Sequence, residues 1–223
     1  MTYGIISDIH SDFDALKKVM LSIKSKNVDR IFCCGDIVGY GNQPQEVIEL
    51  LRANQVQCVI GNHEEALFDD LAFAAMNINA QTTLSNNFTL ISENNMEYLE
   101  ELPSSIIDKN IRIVHGVPPD SFTDYIHYLT CGGLIDVFDS YTEQIAFCGH
   151  THLKAIIKYN GCNISYNKKI SFDTAYKLCD DSRYIINVGS VSLPRGDNRD
   201  KAQFVVYDDI TQKYGFTPFS IYG

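Results

Sequence analysis

Long hydrophobic runs are missing from this chain of 223 residues. No stretch approaches the roughly 20 apolar residues that a membrane-spanning helix requires, so no membrane partner is expected. The start, Met1-Thr2-Tyr3-Gly4-Ile5-Ile6-Ser7-Asp8, lacks a basic region followed by an apolar stretch, so the expected location is cytoplasmic. Basic residues are also scarce: 18 Lys and Arg face 28 Asp and Glu, for a net charge of −10. A broad nucleic-acid surface is thereby excluded, because phosphate backbones are repelled by such a field. Paired C-x-x-C spacing is absent as well. The seven cysteines, an odd number, fall mostly in apolar runs such as Phe32-Cys33-Cys34 and Phe147-Cys148. They read as buried, reduced thiols rather than a disulfide framework or a thiolate zinc site. Internal repeats, low-complexity tracts and linkers are lacking too, which leaves one domain over 1–223 and the oligomeric state open.

What is present alternates. Residues 3–7, 30–34 and 56–60 are short apolar runs, separated by helical patterns over 12–25 (Phe13, Leu16, Val19, Met20, Ile23) and 44–54 (Pro44, Val47, Ile48, Leu51). Strand, helix, strand, helix, strand implies parallel strands with crossover helices. Residues 64–102 read as a helical insertion capping the site, with helices at 65–76 and 95–101 and an Asn- and Thr-rich stretch between them that fits no pattern. Beyond 105 strands dominate, at 105–108, 111–115, 145–148, 153–158, 162–164 with 168–171, 184–188, 203–208 and 213–219, with one helix over 132–141. The predicted architecture is α/β (α+β): a mixed sheet, or two sheets face to face, with helices outside.

Polar residues stand where the apolar runs end. Ile5-Ile6-Ser7-Asp8-Ile9-His10, Cys34-Gly35-Asp36, Ile60-Gly61-Asn62-His63-Glu64, Val114-His115-Gly116 and Phe147-Cys148-Gly149-His150-Thr151-His152 share this design. Parallel strands deliver their carboxyl ends to one sheet edge, where open α/β folds bind ligands. Five of the six histidines fall in these positions, all but His127. Strand alternation would put Asp8 and His10 on one side, and His150 and His152 likewise. Carboxylate, amide and imidazole donors without thiolate suit Mn²⁺, Fe, Co²⁺, Ni²⁺ or Zn²⁺ better than Ca²⁺. Seven donors exceed one coordination shell that must admit water, whereas two ions sharing one Asp use them all.

The ordered motifs D-x-H, G-D, G-N-H-E, H-G and G-H-T-H, running from Asp8 to His152, resemble those of the calcineurin-like metallophosphoesterase superfamily. The resemblance implies a four-layer αββα sandwich, two mixed sheets flanked by helices. It further implies that Asp8, His10 and His152 bind one metal and Asn62, His115 and His150 a second, with Asp36 bridging. The two divalent ions would be Mn²⁺ first, with Fe, Zn²⁺, Ni²⁺ or Co²⁺ as alternatives. His63 is left free of metal, as a general acid or a cation beside the transition state, while a hydroxide bridging the ions attacks phosphorus.

Gly39 and Tyr40 stand where the phosphoprotein-phosphatase branch has an Asp and an Arg. The stretch Gly35-Asp36-Ile37-Val38-Gly39-Tyr40-Gly41 and the later Gly189-Ser190-Val191-Ser192-Leu193-Pro194-Arg195 are similar instead to small bacterial and archaeal members. Arg195 and Arg199 are candidates to hold phosphate, Asn62 to contact it, and Tyr40 to line the leaving-group side. Asp124, Tyr125 and His127 read as structural. The expected activity is hydrolysis of a phosphate ester by a metal-dependent phosphatase or phosphodiesterase. A protein serine/threonine phosphatase-like enzyme, a dinucleoside polyphosphate hydrolase and a catalytically silent metal-binding scaffold are the alternatives. The H-x-H-x-D-H signature of metallo-β-lactamase-type hydrolases is missing after His150.

Overall fold

The first sixty residues build one half of the molecule. Strands β1 (Thr2–Ile6), β2 (Arg30–Cys33) and β3 (Gln57–Cys58) run parallel, joined by helices α1 (Phe13–Ser25) and α2 (Pro44–Ala53). Asp12 starts α1 by accepting from the Ala15 N–H, and the buried Leu16, Val19, Met20 and Ile23 recur at helical spacing beneath it. Pro44 opens α2, where its fixed φ suits the first turn. The structure, a computed structural model, describes residues 1–196 and 201–220.

Four helices follow: α3 (Asn62–Glu65), α4 (Asp70–Ala75), α5 (Ile78–Leu90) and α6 (Glu93–Glu100). The single helix expected over 65–76 is divided, because Asp69 accepts from the N–H groups of Leu71 and Ala72 and starts a new helix there. The unreadable Asn- and Thr-rich stretch is α5. Its inner face carries only Ala80, Leu84 and the polar Asn87, while Ile78, Phe88 and Leu90 are exposed, so no apolar stripe marks it.

The second half contributes β4 (Ser105–Asp108), β5 (Ile111–Val114), a short 3₁₀ turn at Ile126–Tyr128, α7 (Cys131–Asp139), β6 (Ile145–Cys148), β7 (Ala155–Tyr159), β8 (Ile164–Asn167), β9 (Tyr176–Lys177), β10 (Arg183–Asn187), β11 (Lys201–Asp208) and β12 (Lys213–Ser220). No strand forms at 168–171; the short β9 pairs with β12 instead. Two six-stranded mixed sheets result, ordered β3-β2-β1-β11-β12-β9 and β4-β5-β6-β10-β7-β8.

Alternation along these strands sorts side chains into three apolar layers. Tyr3, Ile5, Phe32 and Tyr207 of the first sheet meet Ile113, Phe147, Tyr184 and Ile186 of the second. Ile6, Cys33 and Phe204 point outward onto α1, α2, α5 and α6, and Val114, Ala146, Cys148 and Ile185 point outward onto α7. The fold is therefore an αββα sandwich. Cys33, Cys34, Cys58 and Cys148 are buried, but Cys131, Cys162 and Cys179 are exposed, contrary to the wholly buried set expected. No helix among the described residues is long and apolar enough to cross a membrane.

Candidate metal centre

The carboxyl ends of β1, β2, β3, β5 and β6 lie at one edge of the sandwich, and the residues just beyond them converge. Asp8, His10, Asp36 and His152 form one buried group of donor atoms, and Asp36, His115 and His150 form a second, each with its atoms within 4.8 Å of one another. Asp36 belongs to both. Asn62 joins the second group, its Oδ1 lying 3.2 Å from His115 Nε2.

The backbone that presents them is not extended. Asp8, His10, Asp36, His150 and His152 all have φ between 50° and 65°, the left-handed region that non-glycine residues rarely adopt. The expectation that strand alternation pairs Asp8 with His10 and His150 with His152 is therefore corrected, since each pair sits in a left-handed turn past its strand. Such turns persist only where surroundings over-determine them. Here Asp8 N–H donates to Gly35 O, Ile9 and His10 N–H to Asp36 O, and His150 N–H to the Asp8 carboxylate.

Each of the four imidazoles has one ring nitrogen against a main-chain carbonyl. His10 Nδ1 meets Val38 O at 3.2 Å, His115 Nδ1 meets Cys34 O at 2.6 Å, His150 Nε2 meets Thr123 O at 3.1 Å and His152 Nδ1 meets Leu193 O at 2.9 Å. A carbonyl can only accept, so those nitrogens carry the protons and the opposite ones turn lone pairs inward. His10 Nε2 and His152 Nε2 are 3.0 Å apart, and His152 Nε2 is 3.3 Å from Asp8 Oδ1. Lone pairs and carboxylates so close repel unless a cation lies between them. The donor set thus fits a divalent metal in each group.

The protein groups alone already show this charge demand. Burial opposes protonation of His115, but the Asp36 carboxylate 3.3 Å away outweighs it and raises the imidazole to about 9. Burial likewise pushes Asp36 up, yet His115 and His63 hold its carboxyl well below the usual range. Burial and the neighbouring His115 push His150 down to about 3. Burial, then His63, also lowers His10. A cation at the second group would take the place of the proton on His115.

Two residues absent from the expected site list support it from behind. Glu64 is fully buried, and its carboxylate accepts from the N–H groups of Asp36, Ile37, Val38 and Gly61 at 2.8–3.0 Å, fixing the turn that carries Asp36. Burial and the nearby Asp36 raise it to about 7. Asn87, on α5, accepts from Ser11 Oγ and Gly39 N–H and donates to Gly41 O, so it holds the loop after Asp36 against α5. Glu64 stands in the G-N-H-E motif, so a signal was present, whereas nothing in the sequence marks Asn87.

A cavity of about 280 Å³ lies over the donors, lined by Asp36, Asn62, His63, His150 and His152 and, from α4, α5 and the turn between them, by Ala72, Ala75, Met76, Asn77 and Ala80. Tyr40 and Arg195 line it as well, and so does Tyr125, whose ring stacks on His150 at 3.8 Å. His63 is buried, with its ring 4.7 Å from that of His10 and 4.9 Å from that of Tyr40. Its Nδ1 has no hydrogen-bond partner among the described residues. Gly39 has φ 91°, and a Cβ there would come within 2.0 Å of His63 Nδ1, so the ring packs directly on bare backbone. Arg199 lies outside the described residues.

A family profile described as the calcineurin-like phosphoesterase superfamily domain matches residues 1–210. The chain is 33% identical over 209 residues to the uncharacterized protein MJ0912 of Methanocaldococcus jannaschii, covering 92% of this chain and 82% of that one. It superposes on a metallophosphoesterase from Sphaerobacter thermophilus with a TM-score of 0.83 and 29% identity, covering 99% of this chain and 88% of that one. A hypothetical protein from Pyrococcus horikoshii, PH1004, shares the fold at a TM-score of 0.74 and 18% identity, covering 98% and 88%. The chain belongs to the calcineurin-like phosphoesterase superfamily.

Proposed function

We propose that this chain is a dinuclear metal-dependent phosphoesterase. Asp8, His10 and His152 would hold one ion, Asn62, His115 and His150 the other, and Asp36 both. The observation that carries the reading is the pair of donor groups sharing Asp36 at the floor of one cavity. Two divalent cations there supply water activation and charge neutralisation for an entering phosphoryl group. Mn²⁺ is the first choice from the mixed oxygen and nitrogen donors.

The chain's own residues supply the rest. Asn62 and Arg195 line the cavity and can donate to phosphate oxygens, Arg195 as a planar fork. His63 would hand a proton to the departing oxygen. Burial lowers its imidazole, and Asp36 opposes that. An arriving phosphate dianion acts in the same sense as Asp36 and favours the charged ring. Tyr40, Tyr125 and the cap residues Ala72, Met76 and Ala80 form a wall for the leaving group.

The test is release of nitrophenol from mono- and bis-nitrophenyl phosphate by the purified chain with Mn²⁺, Zn²⁺, Ni²⁺, Co²⁺ or Fe²⁺. Turnover with at least one metal, abolished by chelation, is expected. No turnover with any of them would leave a metal-binding scaffold.

A further inference from the structure

The cavity over the donor groups has two unlike sides. Its floor is carboxylate, amide and imidazole, whereas the wall given by α4, α5 and the turn between them presents Ala72, Ala75, Met76, Asn77 and Ala80. No Lys or Arg occurs between Arg52 and Lys109, so that wall has no cation of its own to set against a phosphate. Helix N-termini can hold an anion instead, but here both are capped from within: Asp69 accepts from Leu71 and Ala72 N–H at the start of α4, and Asn77 from Ala80 N–H at the start of α5. Asn77 turns its other end to Tyr40, its Nδ2 donating to the phenol oxygen at 3.3 Å.

Flat rings complete the enclosure. Tyr40 is fixed to α5 through its main chain too, its N–H donating to Thr83 Oγ1 at 3.1 Å, and its ring packs on those of His10 and His63, each at 4.9 Å. Tyr125, between β5 and α7, lays its ring on that of His150 at 3.8 Å and 25°, and Thr123 O holds His150 in turn. Each tyrosine is thus backed by an imidazole of the site and lines the cavity with an aromatic surface. A charged group set against methyl groups, a thioether and two rings would be desolvated without a partner. An apolar ring there leaves water favourably, and ring–ring contacts add to the gain.

We infer that the alcohol half of the substrate is uncharged and aromatic, bounded by the Tyr40 and Tyr125 rings and resting on Ala72, Ala75, Met76 and Ala80. Given the phosphoesterase reading above, on which this assignment rests, the substrate class is a phosphate ester of a small aromatic alcohol, with its phosphoryl group over the donors. Hydrolysis joins the oxygen of water to phosphorus, breaks the bond from phosphorus to the alcohol oxygen and releases that alcohol with a proton. Tyr40 and Tyr125 are the specificity-determining residues.

Phosphonates test this, because their carbon–phosphorus bond survives while the organic half is varied. Binding of methylphosphonate, benzylphosphonate, cyclohexylmethylphosphonate and (4-carboxybenzyl)phosphonate to the Mn²⁺-loaded protein is measured by calorimetry, and hydrolysis of benzyl and nitrophenyl phosphate is followed alongside. Benzylphosphonate should bind at least about 10-fold tighter than methylphosphonate and about 3-fold tighter than the cyclohexyl compound, and the carboxylate should cancel most of the gain. Tyr40→Ala and Tyr125→Ala should each lower the benzyl-to-methyl ratio by about 3-fold or more, whereas Tyr125→Phe, which keeps the ring, should hold it. Ala75→Lys, at an exposed position, should strengthen the carboxybenzyl compound relative to the benzyl one. Unchanged melting of each variant shows that these effects are local. Equal binding of the benzyl and methyl compounds, of the benzyl and cyclohexyl compounds, or of the benzyl and carboxybenzyl compounds would overturn the aromatic pocket, and so would a ratio that neither tyrosine variant moves. A benzyl preference without hydrolysis of any ester would sink the phosphoesterase reading alone, and hydrolysis without the preference would sink the pocket alone.

Discussion

His63 touches Gly39 so closely that no side chain fits between them, which explains how the ring is placed without an aspartate to orient it. Replacement by Ala should leave metal content, measured by elemental analysis, at its wild-type value. It should lower the rate on an ester with a poor leaving group by about 100-fold or more, the contribution of a general acid. Glu64 has a different part. Its removal strands four buried N–H groups. Glu64→Ala should therefore cost about 3 kcal/mol or more, read as a lower urea midpoint. The donors themselves were legible, because Asp8, His10, Asp36, His115, His150 and His152 each follow an apolar run and their types announce metal chemistry. Glu64 stands within a motif, but its part is not legible there, since its partners are main-chain groups up to 28 residues away and leave no trace in residue type. The left-handed turns were missed for a related reason: Asp and His are compatible with many backbone states, and only a glycine would have flagged them.

Among the elements, α5 shows how a helix can be hidden and still matter. Asn87 joins it to Ser11, Gly39 and Gly41, so Asn87→Ala should destabilise by roughly 2 kcal/mol through unsatisfied buried groups. Exposed Asn86→Ala, on the opposite side, should stay within about 0.5 kcal/mol, and thermal melts of the two distinguish them. At the other sheet, Arg112 of β5 forms a two-pronged ion pair with the buried Glu143 at 3.0 and 3.3 Å and also donates to Pro119 O. Burial pushes the Glu143 carboxyl up, but backbone N–H groups and the Arg112 fork outweigh it and hold it below the usual range. A depressed carboxyl stabilises above the ordinary glutamate value of about 4.3 and loses that contribution as pH falls through its folded value. Arg112→Met should thus cost about 3 kcal/mol at neutral pH, and the gap to wild type should narrow below about pH 4. Denaturant titrations at both pH values check this. The strands flanking the site were readable as short apolar runs. The division at Asp69 and the displaced β9 were not, because a capping side chain and a two-residue pairing are decided by neighbours in space.

At the scale of the whole molecule, each donor group is drawn from both sheets. Asp8, His10 and Asp36 follow strands of the first sheet and His152 a strand of the second; Asn62 and Asp36 from the first sheet meet His115 and His150 from the second. Ions bound there would tie the halves together and stabilise only the folded state. At a free metal concentration of about 100 times Kd the gain is roughly 2.7 kcal/mol per site. Adding Mn²⁺ to chelator-treated protein should then raise its Tm by about 5 °C or more, seen by calorimetry. Sequence alternation allowed one sheet or two, and the family resemblance decided for two; how they are apposed depends on Phe32, Phe147 and Tyr207 interlocking at a distance. Those aromatic rings have a second consequence. With the donors divided between the sheets, the thickness of the apolar filling sets how far apart the two halves of each group stand. The central core is in that sense the gauge block of the candidate metal centre, and its bulk calibrates the spacing of the donors.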